Sequence, residues 1–139
     1  MTIPASDPLF GKISQDPFAQ WMGIELQELQ PGYSRMAMTV TPRMVNFHGI
    51  PHGGAIFSLA DAAFAAASNS HGQTAVALSM TIQYLAATEP GTHLIAEAQE
   101  LRKGHRTGSY QIMVKTKAGE LIAACQGVVH RKTESLMER

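Results

Sequence analysis

The run A-I-F-S-L-A-D-A-A-F-A-A-A, residues 55–67, holds neither glycine nor proline and carries one charge, Asp61. Ala, Leu, Phe and Ile favour a helix of roughly four turns at about 3.6 residues each. Gly53 and Gly54 precede it, so its first backbone N–H groups lie in a loop free of bulky side chains. Spacings of four and three place Gly54, Ser58, Asp61, Ala65 and Ser68 on one face. Ile56, Leu59, Ala60, Ala63, Phe64 and Ala67 cover most of the rest. A helix apolar nearly all round is a buried helix, so the remainder of the chain must wrap it. A carboxylate there needs a partner or a task. From the residues alone Asp61 reads equally as a structural acid held by backbone amides at a subunit contact and as a functional one.

The flanking patterns supply the wrapping. Residues 1–16, with Pro4 and Pro8, read as an arm or loop. Asp16 can cap a short helix that has Pro17 at its first position and ends at Gly23. Strands are expected at 24–29 and 34–41, joined by a Pro31-Gly32 turn. After the central helix, 74–85 alternates, with Val76, Leu78, Met80, Ile82 and Tyr84 on one face. Further strands follow at 93–101, from about Tyr110, and at 121–130, and residues after Lys132 read as polar and frayed. The expected boundaries are an arm at 1–15, one domain at 16–132 and a tail at 133–139. Strands joined by hairpins around one helix imply an antiparallel α+β domain. The sheet face turned away from the helix keeps apolar side chains, which a second copy of the chain could cover.

Composition narrows the partners. The chain has 11 basic and 11 acidic residues, which gives no support for nucleic acid. Its single cysteine, Cys125, excludes an internal disulfide and suits a reducing cytoplasm, and its strand-like setting marks it as a core residue. No secretory leader is visible at the N-terminus, and no run approaches the ~18 apolar residues of a membrane span. His48 and His52 are four apart, a zinc-pair spacing on a helix. Gly49, Pro51, Gly53 and Gly54 argue against a helix there and no third ligand sits at motif spacing, so no metal is expected. The stretch R-K-G-H-R-T-G, residues 102–108, places three firm positive charges within five residues. On its own it reads as a solvated hairpin loop.

The motif N-x-H-G-x-x-H-G-G, residues 46–54, followed seven residues later by Asp61, resembles that of the hotdog-fold acyl-CoA thioesterases, and most nearly the PaaI-type group of phenylacetic acid degradation. The similarity covers roughly residues 15–132. It implies a long central helix wrapped by a six-stranded antiparallel sheet, dimers that pair into tetramers, and a site at the dimer interface. It also implies roles. Gly53 would offer its N–H to the thioester oxygen. Asp61 of the facing chain would activate water or attack the carbonyl itself. Asn46 would orient the water or the carboxylate, and His52 would hold the loop and bond near the thioester. Arg102, Lys103, Gly104, His105, Arg106, Thr107 and Gly108 would grip the phosphates and nucleotide of coenzyme A. Tyr84 and Ala86 would line the pantetheine tunnel.

The implied activity is hydrolysis of a small or medium acyl-CoA, aromatic ones such as phenylacetyl-CoA included. Coenzyme A is part of the substrate, and no separate cofactor is expected. Two other readings remain at this point. One is a hotdog-fold enoyl-CoA hydratase or dehydratase using His48 or His52. The other is an acyl-CoA-binding protein without turnover.

Overall fold

In the computed structural model, which describes residues 1–138, two short helices lead the chain: α1, Pro8–Ser14, and α2, Pro17–Met22. Each begins in the same way. Asp7 accepts a hydrogen bond from Leu9 N and Asp16 from Ala19 N, both at 2.9 Å, and a proline follows at the first helical position. The aspartate satisfies an N–H that lacks a helical partner, and proline has no N–H to satisfy. The segment expected to be an arm or loop therefore holds a helix, and Asp7-Pro8 is the signal for it.

The sheet comprises β1 (Glu25–Gln30), β2 (Tyr33–Thr39), β3 (Gln73–Tyr84), β4 (His93–Lys103), β5 (Thr107–Thr116) and β6 (Leu121–Ser135). The strand order is β1-β2-β4-β5-β6-β3, with every neighbouring pair antiparallel. The long helix α3, Gly53–Asn69, lies between β2 and β3 in sequence and packs on the sheet. This is the expected α+β hotdog architecture. Two boundaries differ from expectation. Arg102 and Lys103 finish β4 while Thr107 and Gly108 open β5, so the basic loop shrinks to residues 104–106. β6 continues to Ser135, so Thr133 to Ser135 of the expected tail are strand, followed by a 3-10 turn at Leu136–Glu138.

Leu59, Ala60, Ala63, Phe64 and Ala67 of α3 are buried with Leu94, Ala96, Ala98, Ile112, Val114 and Ile122 in one core. Burying one Leu, Ile or Phe side chain is worth about 1.5–3 kcal/mol. The alanines let the helix approach closely. At Gly127 of β6 a Cβ would lie 2.6 Å from the Phe64 ring, so that strand is flush with the helix only because the side chain is missing. At the far end of α3, His71 Nε2 lies 3.0 Å from Glu100 Oε1, and Tyr110 donates its O–H to the same oxygen at 2.9 Å. That partly buried polar group ties the helix end to β4 and β5.

The sheet does not wrap α3 completely. Ser58, Asp61 and Ala62 are half-buried and Ala65 is exposed, whereas Ser68, expected on the same face, is buried. A second correction concerns β3. A bulge leaves Leu78 unpaired between the Ala77–Val129 and Ser79–Val128 pairs. The extra residue reverses the in–out alternation. Met80 and Ile82 pack towards the core, but Val76 and Leu78 do not share their face and are 42% and 61% exposed. β3 is also an edge strand, bonded only to β6.

Candidate active site

The loop before α3 is held from within. Asn46 Oδ1 accepts from His48 N at 2.9 Å, Asn46 N donates to Ile50 O at 2.8 Å, and Gly49 takes φ +81°, which favours glycine. A bridge between Val45 and Pro51 closes the loop. Asn46 was expected to offer both donor and acceptor to the reaction. Its oxygen also accepts from Ile50 N at 3.4 Å, so both lone pairs serve the turn and the NH2 group is the part left for the reaction.

His52 is the N-cap of α3. Its Nδ1 accepts from Gly54 N at 2.8 Å, which places the proton of the neutral ring on Nε2. The preceding N–H, that of Gly53, has no acceptor among the described residues. It points out of the positive end of a 17-residue helix. The Tyr84 hydroxyl donates to Gly53 O at 2.9 Å, and a Cβ on Gly53 would sit 3.2 Å from the Tyr84 ring. Glycine at 53 therefore admits Tyr84 and leaves an open N–H beside it. The fold brings Asn46, His52, Gly53 and Tyr84 together. Ala86 lies two residues past Tyr84, partly buried against the core, with its N–H donating to Ile122 O.

Asp61 stands apart from that cluster. Eight residues separate it from Gly53, about 12 Å at 1.5 Å per residue. Helix N–H groups point towards the N-terminus, so the Gly53 donor faces away from its own Asp61. Among the described residues no group donates a hydrogen bond to the Asp61 carboxylate. Burial raises its pKa above the ordinary carboxylate value, and the negative charge of Asp16 raises it further. A general base works only above its pKa. Asp16→Asn keeps a capping oxygen while removing one of the two causes, and it should move the acid limb of the kcat/KM profile to lower pH. A pH–rate profile checks the direction.

The basic turn lies elsewhere again. Lys103, His105 and Arg106 face His130, Arg131 and Lys132 of β6 across a cavity of about 820 Å³. Arg102, expected with them, is not among the residues lining this cavity. Arg131 is only 8% exposed and donates to Gln73 Oε1, but its Nε has no partner among the described residues. The sequence signal for this second wall is H-R-K at 130–132. It goes unread if the last strand is stopped at His130. The turn sits by Gln73, at one end of β3, and Gly53 sits by Tyr84, at the other, roughly 35 Å away by strand rise. Cys125 is buried, with its thiol pushed up to about 11, as befits a core residue. Among the described residues no group of three or more His, Cys, Asp or Glu side chains could hold a metal ion. Nor is any described helix long and apolar enough to cross a membrane.

A buried helix in a six-stranded antiparallel sheet, with an open glycine N–H at its start and a carboxylate two turns on, defines a hotdog-fold thioester hydrolase. Residues 48–123 match the Thioesterase superfamily, and the chain belongs to that family. It is 40% identical over 116 residues to the acyl-coenzyme A thioesterase PaaI of Escherichia coli, covering 84% of this chain and 83% of that one. The solved structure of the E. coli PaaI protein from the phenylacetic acid degradation operon superposes with a TM-score of 0.87 at 37% identity, covering 91% of each chain. A mutant of the phenylacetic acid degradation protein PaaI of Thermus thermophilus gives 0.81 at 38% identity, covering 84% of this chain and all of that one.

Proposed function

We propose that this protein is a cytoplasmic acyl-CoA thioesterase that hydrolyses small or medium acyl-CoAs, phenylacetyl-type groups included, to the free acid and CoA. The observation that carries the reading is the unpartnered Gly53 N–H at the head of a buried helix. A thioester oxygen that accepts this bond meets a donor already aimed at the charge that grows on it during attack, and removal of such a donor typically costs about 3 kcal/mol. His52 Nε2–H and the Asn46 NH2 are further donors on the same rim. Asp61 takes the proton of the attacking water, or itself adds to the carbonyl to give a mixed anhydride that water then opens. In both routes the C–S bond breaks and CoA leaves as the thiol.

One chain cannot apply Gly53 and Asp61 to the same carbonyl, because the donor faces away from the acid. Three features support a site shared by two chains. β3 presents a long free edge, a ready template for pairing with a copy of itself. Asp61 lines one pocket with Thr74 and Ala75, and the basic turn flanks Gln73, so both lie on the side of Gly53 that faces the start of β3, while Gly53 lies at its end. Antiparallel pairing about a two-fold axis lays the start of one β3 against the end of the other. That arrangement carries the acid and the basic turn of one chain to the glycine of its partner. The apolar outer surfaces favour pairing of such dimers into a tetramer.

Release of free thiol from a panel of acyl-CoAs tests the activity. Thiol release with no hydration of an enoyl-CoA separates hydrolysis from the hydratase reading, and absence of release from every acyl-CoA would leave only binding. Lys103→Ala combined with Arg106→Ala should raise KM for acyl-CoA about tenfold or more, since hydrogen bonds to charged groups contribute about 1.5–3 kcal/mol. The same variant should change little with a short thioester that lacks the nucleotide. Equal losses on both substrates would make the turn a support of the fold instead.

A further inference from the structure

Two glycines in a row give the start of α3 the least constrained backbone available to a chain, yet the Gly53 N–H is of use only while its direction is fixed. The peptide that joins Gly53 to Gly54 is held at both ends. Its N–H donates to His52 Nδ1 at 2.8 Å, and its C=O accepts from the Tyr84 hydroxyl at 2.9 Å. The two groups project to opposite edges of one planar unit, so the pair of bonds stops that plane from turning. His52 belongs to the loop it holds and moves with it. Tyr84 does not. It is the last residue of β3 and lies in register with the buried Ala123 of β6, and the N–H of the following Leu85 donates to Ile122 O at 2.8 Å. The sheet is thus the fixed point to which the peptide is tied. Partial burial, and Cys125 to a lesser degree, raise the Tyr84 phenol above its ordinary value, so the hydroxyl keeps the proton it donates.

We propose that Tyr84 is a positioning residue for the hydrolysis, its hydroxyl holding the Gly53–Gly54 peptide so that the Gly53 N–H and the His52 Nε2–H stay aimed at the thioester oxygen. The inference rests on the thioesterase reading and assigns a role to one oxygen atom, which acts on the backbone and not on the substrate. A turn of the peptide releases both donors. The Gly53 N–H swings with the backbone on one side. On the other the Gly54 N–H leaves Nδ1, which frees the imidazole to rotate and to move its proton. Donors that must be brought back into line during the reaction lose part of the advantage of being prealigned. Binding of the nucleotide and its phosphates draws on the basic cavity, whose lining does not include Tyr84, and is indifferent to that alignment. The loss therefore falls on kcat and spares KM. Phenylalanine at this position keeps the ring against Gly53 and removes the oxygen alone.

The test compares the full chain with its Tyr84→Phe variant on acetyl-, octanoyl- and phenylacetyl-CoA. The variant should lose about tenfold or more in kcat, with KM within about twofold, on every substrate that the unaltered protein cleaves. Calorimetric titration with free CoA counts intact sites, and their number per chain should be unchanged. The acid limb of the pH–rate profile should also stay in place, because the change leaves Asp61 and Asp16 alone. A readout without substrate follows the tether itself. Exchange of the Gly54 amide proton, followed by nuclear magnetic resonance, should quicken about tenfold in the variant. Turnover of unaltered size, or a Gly54 amide that exchanges at an unaltered rate, would overturn the proposal and leave the thioesterase reading standing. A raised KM with unchanged kcat would make the hydroxyl a contact of the substrate, and fewer CoA sites would make it a support of the fold. Either result overturns the positioning role. Absence of hydrolysis of all three substrates by the unaltered protein would reject the thioesterase reading, and the role of Tyr84 with it.

Discussion

Asp61→Asn should leave the fold intact and lower thioesterase turnover by about 10²–10⁴-fold, the usual worth of a general base. The two side chains are nearly isosteric, but an amide neither takes the proton of water nor adds to a carbonyl. Stability should move in the opposite sense from activity. Burial and Asp16 already disfavour the ionised form of Asp61, which is what its raised pKa expresses. With the folded pKa above the unfolded one, the charged acid weakens the folded state as pH rises through that range. At neutral pH the asparagine variant should therefore melt at the same temperature or slightly higher. Steady-state kinetics and a thermal melt on one preparation check both halves. Turnover like that of the unaltered protein would remove Asp61 from the reaction, and a lower melting temperature would show that its carboxylate supports the fold.

Two inactive variants should restore each other. Gly53→Pro removes the N–H that has no acceptor among the described residues of its own chain. Asp61→Asn removes the acid. If a site draws one residue from each chain, a mixed dimer holds one site with both defects and one with neither. Unfolding and reassembling equal amounts together should recover about a quarter of full activity, because half of randomly formed dimers are mixed and each has one sound site of two. Neither variant treated alone should recover. The composition of the mixture is read by mass spectrometry. Mixed oligomers without activity would place both residues of a site in one chain, or show that proline at 53 disturbs more than the donor. His52 distinguishes these two failures. A His52–Gly54 cap lost in Gly53→Pro would expose the helix start and appear as a lower melting temperature.

Where the chain's signals are local, the sequence yields the structure directly. The helix over 55–67, its glycine entrance, the Pro31-Gly32 turn and the alternation of β4 and β5 each depend on neighbours within a few residues. They stand in the structure within a residue or two, except that β5 opens three residues before Tyr110. What stays hidden depends on distant pairing. The bulge at Leu78 is set by Val128 and Val129, some fifty positions away, and nothing in the run from Val76 to Tyr84 announces it. The second wall of the basic cavity is hidden for the same reason, since His130 and Lys132 meet Lys103 and Arg106 only through β-strand register. Asp16 illustrates a third case. Its capping of α2 is legible from Asp-Pro, but its effect on Asp61 follows from the packing of α2 on α3, which the two patterns do not encode separately. The tether from Tyr84 to Gly53 O likewise needs the end of an edge strand and the start of a helix to coincide.

The place of Cys125 has a chemical consequence for a protein whose product is itself a thiol. Free CoA accumulating beside an enzyme can be trapped by an accessible cysteine as a mixed disulfide whenever an oxidant is present, because exchange runs through the thiolate of an exposed group. Here the sole sulfhydryl is 4% exposed, and burial holds it in the protonated form up to about pH 11. The chain thus offers CoA no covalent foothold. Alkylating and disulfide reagents added to the folded protein should find the released coenzyme and leave the polypeptide untouched.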